Sequence, residues 1–443
     1  MKKLSTKQII SVSLTLFAIF FGAGNMIFPP AMGQLAGTSY LSALFGFILT
    51  DAGIAILGVS AIVFVGNSMS DLGNLVSKKF ALFLSVGVYL LIGPLFALPR
   101  TGSVSFELVL QPYLTSHTFL FSLLFTAVFF CVTYYLSSNP TRIVDVVGKL
   151  LTPFLLLSIF AIFVACVYAL MNRSNIDLIG AMNGPQGTYA TIPFFQGMIE
   201  GYNALDGPAG LAFAIIVITA IKSYGISEKK SIVKYTILSG IGAAVFLAVV
   251  YFMLAFVGAS VQIPFNNGGA LLHAVSSTLF GNAGGIVLGI AVLFACLTTS
   301  IGLTTSFADY FHEIMPHISY KKIAAIVCLF SFIISNVGLS QLIQISLPVL
   351  IIIYPVTVTL IVLSFFKGKI GKKRNTYILS MLFTFVVALV NSLDSAGIQL
   401  GILTQFISKL PFYALGLGWI LPMIAGSLIG YIVDKARKSD CQQ

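Results

Sequence analysis

The chain has 443 residues, of which 58% are hydrophobic and only 8% are charged, and its formal net charge is +11. A soluble domain carries about 25% charged residues, so this chain has too little polar surface for a water-soluble fold. The composition predicts an all-α polytopic membrane protein, because a helix satisfies its own backbone hydrogen bonds in lipid.

Twelve apolar runs are long enough to cross a bilayer, which takes about 20 residues of helix. They lie at about 8–31, 40–65, 80–110, 118–137, 144–171, 191–221, 235–260, 284–309, 322–338, 341–366, 376–396 and 412–433. The first run follows Lys2, Lys3 and Lys7 as in a signal peptide, but it is long enough to span, lacks a clear cleavage site and precedes further spans. We expect it to be retained, residues 1–433 to form a single transmembrane domain, and residues 434–443 to form a cytoplasmic tail.

The basic residues predict the orientation of these helices. With a cytoplasmic N-terminus, 21 of the 24 Lys and Arg residues fall on the cytoplasmic side; Arg173 and Lys409 fall outside, and Arg100 lies within a span. This positive-inside pattern places both termini in the cytoplasm and accounts for the net charge without nucleic-acid binding. The chain has no P-loop motif, so uphill transport would use an ion gradient.

The first span carries an interruption. Residues 20–30 read FFGAGNMIFPP, in which glycines weaken the helix and prolines remove amide donors. Broken backbone at membrane depth is tolerated only inside protein or beside a polar cavity. Close packing of small residues would explain the glycines alone, but glycines, Asn25 and two prolines together favour a functional break.

The sixth span carries a second interruption, EGYNALDGP at residues 200–208. Interrupted helices at matching positions of two halves are typical of binding sites in inverted-repeat transporters. The halves show no readable sequence repeat, so this inference rests on position, and an external loop between the fifth and sixth spans is the alternative for 200–208.

Such breaks suit a zwitterionic ligand. Freed amides at a half-helix N-terminus favour an α-carboxylate, while freed carbonyl groups accept from an α-ammonium group or coordinate a cation. We therefore expect a site that needs no charged side chain, and none occurs in residues 8–49.

The eighth span is rich in hydroxyl groups: residues 298–306 contain six Ser and Thr side chains. Threonine hydroxyls often bond to carbonyl groups of their own helix, so a bent packing face is one interpretation. A weakly held sodium ion, which needs neutral oxygen ligands, is the other.

Four ionisable residues are predicted at membrane depth, where such groups are functional candidates by default. They are Asp51, Arg100, Glu107 and Asp206. Arg100 and Glu107 are seven residues apart, so we expect partners from other helices, with Asp51 a candidate for Arg100. A structural or gating ion pair is favoured over substrate contact. No acid–base pair or metal-ligand spacing predicts a catalytic group or cofactor, so the chain is not expected to be an enzyme.

Residues 17–30, FAIFFGAGNMIFPP, closely resemble the helix 1 signature of the branched-chain amino acid:cation symporters, the bacterial branched-chain amino acid carrier proteins. Further matches follow in chain order at 92–101, 200–206, 296–305 and 347–355. One departure is Gly102-Ser103, which stands where Ala-Thr is expected. Both changes are small and leave the implied substrate class intact.

The resemblance implies the leucine-transporter fold, with 12 helices arranged as a 5+5 inverted repeat, helices 1 and 6 broken, and two extra helices. Repeat one would cover about 8–171, repeat two about 191–366, and the extra helices about 376–433.

The resemblance also implies site residues. The substrate backbone would meet Gly22, Ala23, Gly24, Asn25, Tyr202 and Asn203. A sodium ion would be held by the carbonyl groups of Ala18, Phe21 and Ala295 and the hydroxyl groups of Thr298 and Thr299.

The predicted function is a secondary active symporter in the bacterial cytoplasmic membrane. It would import leucine, isoleucine and valine with sodium by alternating access, without nucleic acid or an obligatory protein partner. Two alternatives remain open: a proton-coupled carrier using Asp51, Glu107 or Asp206, and a symporter for another small neutral amino acid.

Overall fold

The computed structural model describes residues 3–138, 143–172, 177–370, 374–398 and 400–440. This part of the chain is built from helices, with an isolated antiparallel bridge between Ile179 and Val261. Residues 441–443 of the predicted tail lie outside the described residues, as do five basic residues used above for orientation: Lys2, Arg142, Arg173, Lys372 and Lys373.

The α-helices follow one another along the chain, and the longest connection lies between α9 and α10. They are α1 (Thr6–Phe20), α2 (Ala23–Ala36), α3 (Tyr40–Ile48), α4 (Ile54–Val65), α5 (Met69–Gly73), α6 (Lys78–Leu90), α7 (Ala97–Val109), α8 (Thr118–Ser137), α9 (Ile143–Met171), α10 (Pro193–Ala204), α11 (Asp206–Ser223), α12 (Lys229–Ala259), α13 (Gly268–Ile314), α14 (Tyr320–Ser335), α15 (Leu339–Phe365), α16 (Lys367–Ile370), α17 (Arg374–Ser395), α18 (Ile402–Ile407) and α19 (Ile420–Asp440).

Within the described residues, nine helical segments are long and apolar enough to cross a membrane. Each of the twelve predicted runs overlaps at least one helix, while the count of twelve spans and the inverted repeat stay predictions. The largest difference in a boundary concerns the run predicted at 284–309. Here α13 begins already at Gly268 and is interrupted at Gly281, whose φ of 66° is a left-handed conformation that glycine adopts readily.

The two predicted breaks are present but short. Phe21 and Gly22 separate α1 from α2, and Leu205 alone, with a left-handed φ of 74°, separates α10 from α11. The external-loop alternative for 200–208 is therefore wrong, because helix continues on both sides of Leu205. Pro29 and Pro30 lie inside α2 and not in the break.

Two further irregularities bring polar residues toward the centre of the fold. The chain makes one π-helical turn at Leu49–Gly53, between α3 and α4, and another at Leu91–Leu95, just before α7. Single π turns inside α-helices often occur at functional sites. The first turn carries Asp51, which is fully buried.

Two glycines allow α2 and α12 to pack with their backbones in contact. A Cβ atom added to Gly33 of α2 would overlap the carbonyl oxygen of Ala255 in α12, and one added to Gly258 of α12 would overlap the carbonyl oxygen of Pro30 in α2. Small residues at helix interfaces permit this approach in membrane proteins. The contact is reciprocal, so α2 and α12 pack as one unit.

We predict that Gly33→Ala destabilises the protein by about 1–3 kcal/mol, because the added methyl group has no space beside Ala255. The measurement is the thermal unfolding midpoint of the detergent-solubilised protein. Gly87→Ala is the matched control, since no atom lies within 4 Å of an added Cβ in α6. That change should leave the midpoint unchanged or raise it, as helix propensity favours alanine by about 0.5–1 kcal/mol. Equal midpoints for the two variants would contradict the packing argument.

Candidate functional site

A small cavity of about 30 Å³ lies where α1 and α2 separate. Its walls come from α1, α2, α7, α10, α11 and α13. A water molecule needs about 10–15 Å³ of such volume, so the cavity in this conformation has room for about two water molecules. An amino acid could enter only if the surrounding helices moved apart.

The predicted helix 1 residues all border this cavity, but the predicted helix 6 residues do not. Gly22, Ala23, Gly24 and Asn25 are all in its lining. The helix 6 part of the lining is instead Ala204–Asp206, with Ala209 and Phe213 from the following turns of α11. The break falls at Leu205, which is later than the sequence reading assumed, and this places Asp206 at the cavity.

Tyr202 and Asn203 have other contacts. The Tyr202 ring stacks on Tyr354 with centroids 4.3 Å apart, and the Asn203 side chain donates to Glu200 Oε2 at 3.1 Å. Both residues are buried. Tyr202 thus connects α10 to α15, and Asn203 stabilises α10 internally. Neither residue borders the cavity.

Asn25 organises the break between α1 and α2. Its Oδ1 accepts from the backbone N–H of Gly22 at 3.2 Å, and its Nδ2 donates to Asp206 Oδ2 at 2.7 Å and to the Tyr251 hydroxyl. The Tyr251 hydroxyl in turn donates to Asp51 Oδ2 at 2.5 Å. One buried side chain thus connects a freed peptide group to α11, α12 and the first π turn.

Tyr354 has a similar role at the second break. Its hydroxyl accepts from the backbone N–H of Gly207 at 3.1 Å and donates to the carbonyl oxygen of Gly201 at 3.5 Å. These two peptide groups lie on opposite sides of Leu205. Sequence reasoning did not single out Tyr251 or Tyr354, although a tyrosine in the middle of an apolar span is a pointer, because a buried hydroxyl needs a partner.

Arg100 borders the cavity from α7 and is only 1% exposed. Its guanidinium donates to the carbonyl oxygen of Asn203 at 2.5 Å and to Ser346 Oγ at 3.3 Å, and lies 5.3 Å from the centroid of the Phe28 ring. The expected ion pair with Asp51 is not formed, because Asp51 lies in the hydrogen-bonded cluster around Tyr251.

The other two ionisable candidates differ in position. Asp206 borders the cavity, whereas Glu107 accepts from Asn267 Nδ2 at 2.9 Å and is not in the lining. The expectation that the binding site needs no charged side chain stays a prediction. Residues 8–49 contain no charged side chain, but α7 and α11 bring Arg100 and Asp206 to the border of this cavity.

A second cavity of about 10 Å³ lies between the end of α1, α9 and α13. Four of the five predicted sodium ligands border it: Ala18, Phe21, Ala295 and Thr298. The last turn of a helix leaves carbonyl groups without intrahelical donors. Thr298 Oγ1 donates to the carbonyl oxygen of Ala295 at 2.8 Å, so the lone pairs of the Thr298 hydroxyl are available to a ligand. The cavity therefore combines neutral oxygen atoms in a space of about one water molecule.

The fifth predicted ligand, Thr299, borders the larger cavity. Its hydroxyl has no hydrogen-bond partner among the described residues. It packs closely against Gly22, since a Cβ atom added to that glycine would lie only 2.8 Å from the hydroxyl oxygen. Two pairs of consecutive residues are thus divided between the two cavities. Phe21 and Thr298 border the smaller one, and Gly22 and Thr299 border the larger one.

The sequence of this chain matches the model of the family described as "Branched-chain amino acid transport protein" over residues 5–437. It is 42% identical to the branched-chain amino acid permease BraB of Bacillus subtilis over 435 residues, covering 97% of this chain and 96% of that protein. It is also 42% identical to the permease BrnQ of the same species over 439 residues, covering 98% of each.

Among solved structures, the chain is similar to Mhp1, a nucleobase-cation-symport-1 family transporter, with a TM-score of 0.58 and 14% sequence identity over 96% of this chain and 91% of that one. At this identity the likeness concerns the fold alone. The family match and the two permeases are independent of it. The chain belongs to the branched-chain amino acid transport protein family, a family of multi-pass membrane transporters and not of enzymes.

Proposed function

We propose that this chain is a sodium-coupled symporter that imports leucine, isoleucine and valine across the bacterial cytoplasmic membrane, with both termini in the cytoplasm. The substrate class is supported by the related permeases. The observation that carries the coupling is that consecutive residues border different cavities: Phe21 and Thr298 border the smaller one, and Gly22 and Thr299 border the larger one. An occupant of either cavity therefore contacts residues whose neighbours in the sequence border the other.

The larger cavity is the proposed amino acid site. Its lining combines polar groups of the two breaks with apolar side chains, including Phe20, Phe213 and Leu303. The first two rings meet edge to face with centroids 5.6 Å apart. An aliphatic side chain would pack against this apolar wall. One methylene group changes binding by only about 1–3 kcal/mol, so leucine, isoleucine and valine should share the site.

The smaller cavity is the proposed sodium site. Its ligands would be the carbonyl groups of Ala18, Phe21 and Ala295 and the Thr298 hydroxyl, joined by Thr299 from the adjoining wall. All are neutral oxygen atoms, which suit a hard cation held weakly enough to be released. Occupancy of both cavities would stabilise one arrangement of the break and permit the inward movement.

A proton-coupled carrier is the second candidate, and one cluster favours it. Asp51 Oδ2 accepts from the Tyr251 hydroxyl, Asp206 Oδ2 accepts from Asn25 Nδ2, and Asn25 Nδ2 also donates to Tyr251, so one network connects two buried carboxyl groups. Two buried carboxyl groups close together are unfavourable when both are ionised. A proton bound by either group is therefore a candidate for coupled transport.

Transport by the purified protein in proteoliposomes should distinguish the two candidates. An inward sodium gradient should drive uptake of labelled leucine and carry one positive charge per leucine. Each 100 mV then contributes about 2.3 kcal/mol, more than a tenfold accumulation. Replacement of sodium by choline at constant pH should abolish uptake. Undiminished uptake in choline would contradict sodium coupling, and dependence of that uptake on a pH gradient would favour the proton-coupled carrier.

Thr298→Ala should lower the apparent affinity for sodium about tenfold, because one neutral oxygen ligand contributes about 1–1.5 kcal/mol. Leucine affinity at saturating sodium should change much less. Thr304→Ala is the matched control. It lies on the same helix, is buried, contacts Cys328 Sγ at 3.8 Å and borders neither cavity. The same sodium dependence in both variants would contradict the proposed ion site.

A further inference from the structure

Arg100 carries a buried charge whose electrostatic compensation is incomplete. Its two terminal nitrogens donate to neutral acceptors, the Asn203 carbonyl oxygen and the Ser346 hydroxyl. Within the described part of the chain its Nε–H group has no acceptor, and none of its nitrogens has an acidic partner within 4.0 Å. A buried cation without a counter-charge is strongly unfavourable, so this position is suited to an anionic occupant.

The cavity beside Arg100 is positive on more than one wall. The first turn of α2, at Ala23–Asn25, borders the same space, and the N-terminus of a helix presents free amide groups and a partial positive charge. Asp206 borders the cavity as well and is held by Asn25 Nδ2 at 2.7 Å. Arg100 and Asp206 form no ion pair with each other, so a guanidinium group and a carboxyl group border the cavity separately.

We propose that Arg100 binds the α-carboxylate of the transported amino acid through its free edge, together with the amide groups at the start of α2, and that Asp206 faces the α-ammonium group. This assignment rests on the proposed function and extends it. The planar guanidinium suits a carboxylate because its N–H groups match the two oxygens. Since Arg100 also holds the carbonyl oxygen of Asn203 in α10, the carboxylate is linked through it to the second broken helix.

The competing role for Arg100 is purely structural. It joins α7 to α10 and α15 through Asn203 and Ser346, and its loss could weaken binding of every ligand by disturbing the packing. The two roles differ in which ligands are affected. Only carboxylate recognition distinguishes leucine from analogues that lack its carboxylate.

The test is equilibrium competition against labelled leucine on the purified full-length protein, with leucine, leucinamide and 4-methylpentanoate as competitors. Leucinamide lacks the carboxylate, and 4-methylpentanoate lacks the ammonium group. In Arg100→Gln, the affinities for leucine and 4-methylpentanoate should fall about 10- to 100-fold, the range for hydrogen bonds between charged groups. The affinity for leucinamide should stay the same or rise, because a like charge has been removed. Arg100→Lys should lie between, since it keeps the charge but lacks the fork.

Ser103→Ala is the matched control. Ser103 lies on the same helix, is buried, and donates to the carbonyl oxygen of Ser335 at 2.7 Å without bordering the cavity. It should leave the ratio of leucinamide to leucine affinity unchanged. The assignment would be overturned if Arg100→Gln kept the wild-type ratio of leucinamide to leucine affinity. This covers both unchanged leucine binding and an equal loss of affinity for all three ligands. Absence of leucine binding to the unmodified protein would instead overturn the proposed function.

Discussion

Every peptide group inside a membrane needs a hydrogen-bond partner, and this chain meets that requirement at two places with side chains instead of continuous helix. At the first break, Asn25 accepts from the Gly22 amide and is itself held by Asp206 and Tyr251. At the second, the Tyr354 hydroxyl contacts peptide groups on both sides of Leu205. Asn25 is held by α11 and α12, and Tyr354 belongs to α15. The conformation of each break therefore depends on how neighbouring helices are arranged around it.

The two cavities lie on either side of the first break. The end of α1 borders the smaller cavity together with α13, while the first turn of α2 borders the larger cavity. A helix end has free carbonyl groups and a helix start has free amides. Groups that favour a cation and groups that favour an anion are therefore separated by two residues. Because Phe21 borders one cavity and Gly22 borders the other, a rotation of the peptide between them would change the walls of both cavities.

Much of the fold could be predicted from sequence because the length of an apolar run and the positions of glycine and proline determine the local backbone conformation. The run 17–30 predicted both the break and the lining at Gly22–Asn25. Its prolines misled, since α2 continues through Pro29 and Pro30. The charged lining was missed for a different reason: Arg100 and Asp206 lie 106 positions apart along the chain, and only packing shows that they share a cavity. The interruption at 200–208 was predicted as well, but its position at Leu205 was not, because a left-handed leucine has no sequence pattern of its own.

The reciprocal glycine contact between α2 and α12 limits how such a molecule can move. With Gly33 against Ala255 and Gly258 against Pro30, neither helix can slide or rotate past the other without steric overlap. Tyr251 on α12 and Asn25 on α2 therefore keep a fixed spacing, and the hydrogen bond between them keeps the first break in register with α12.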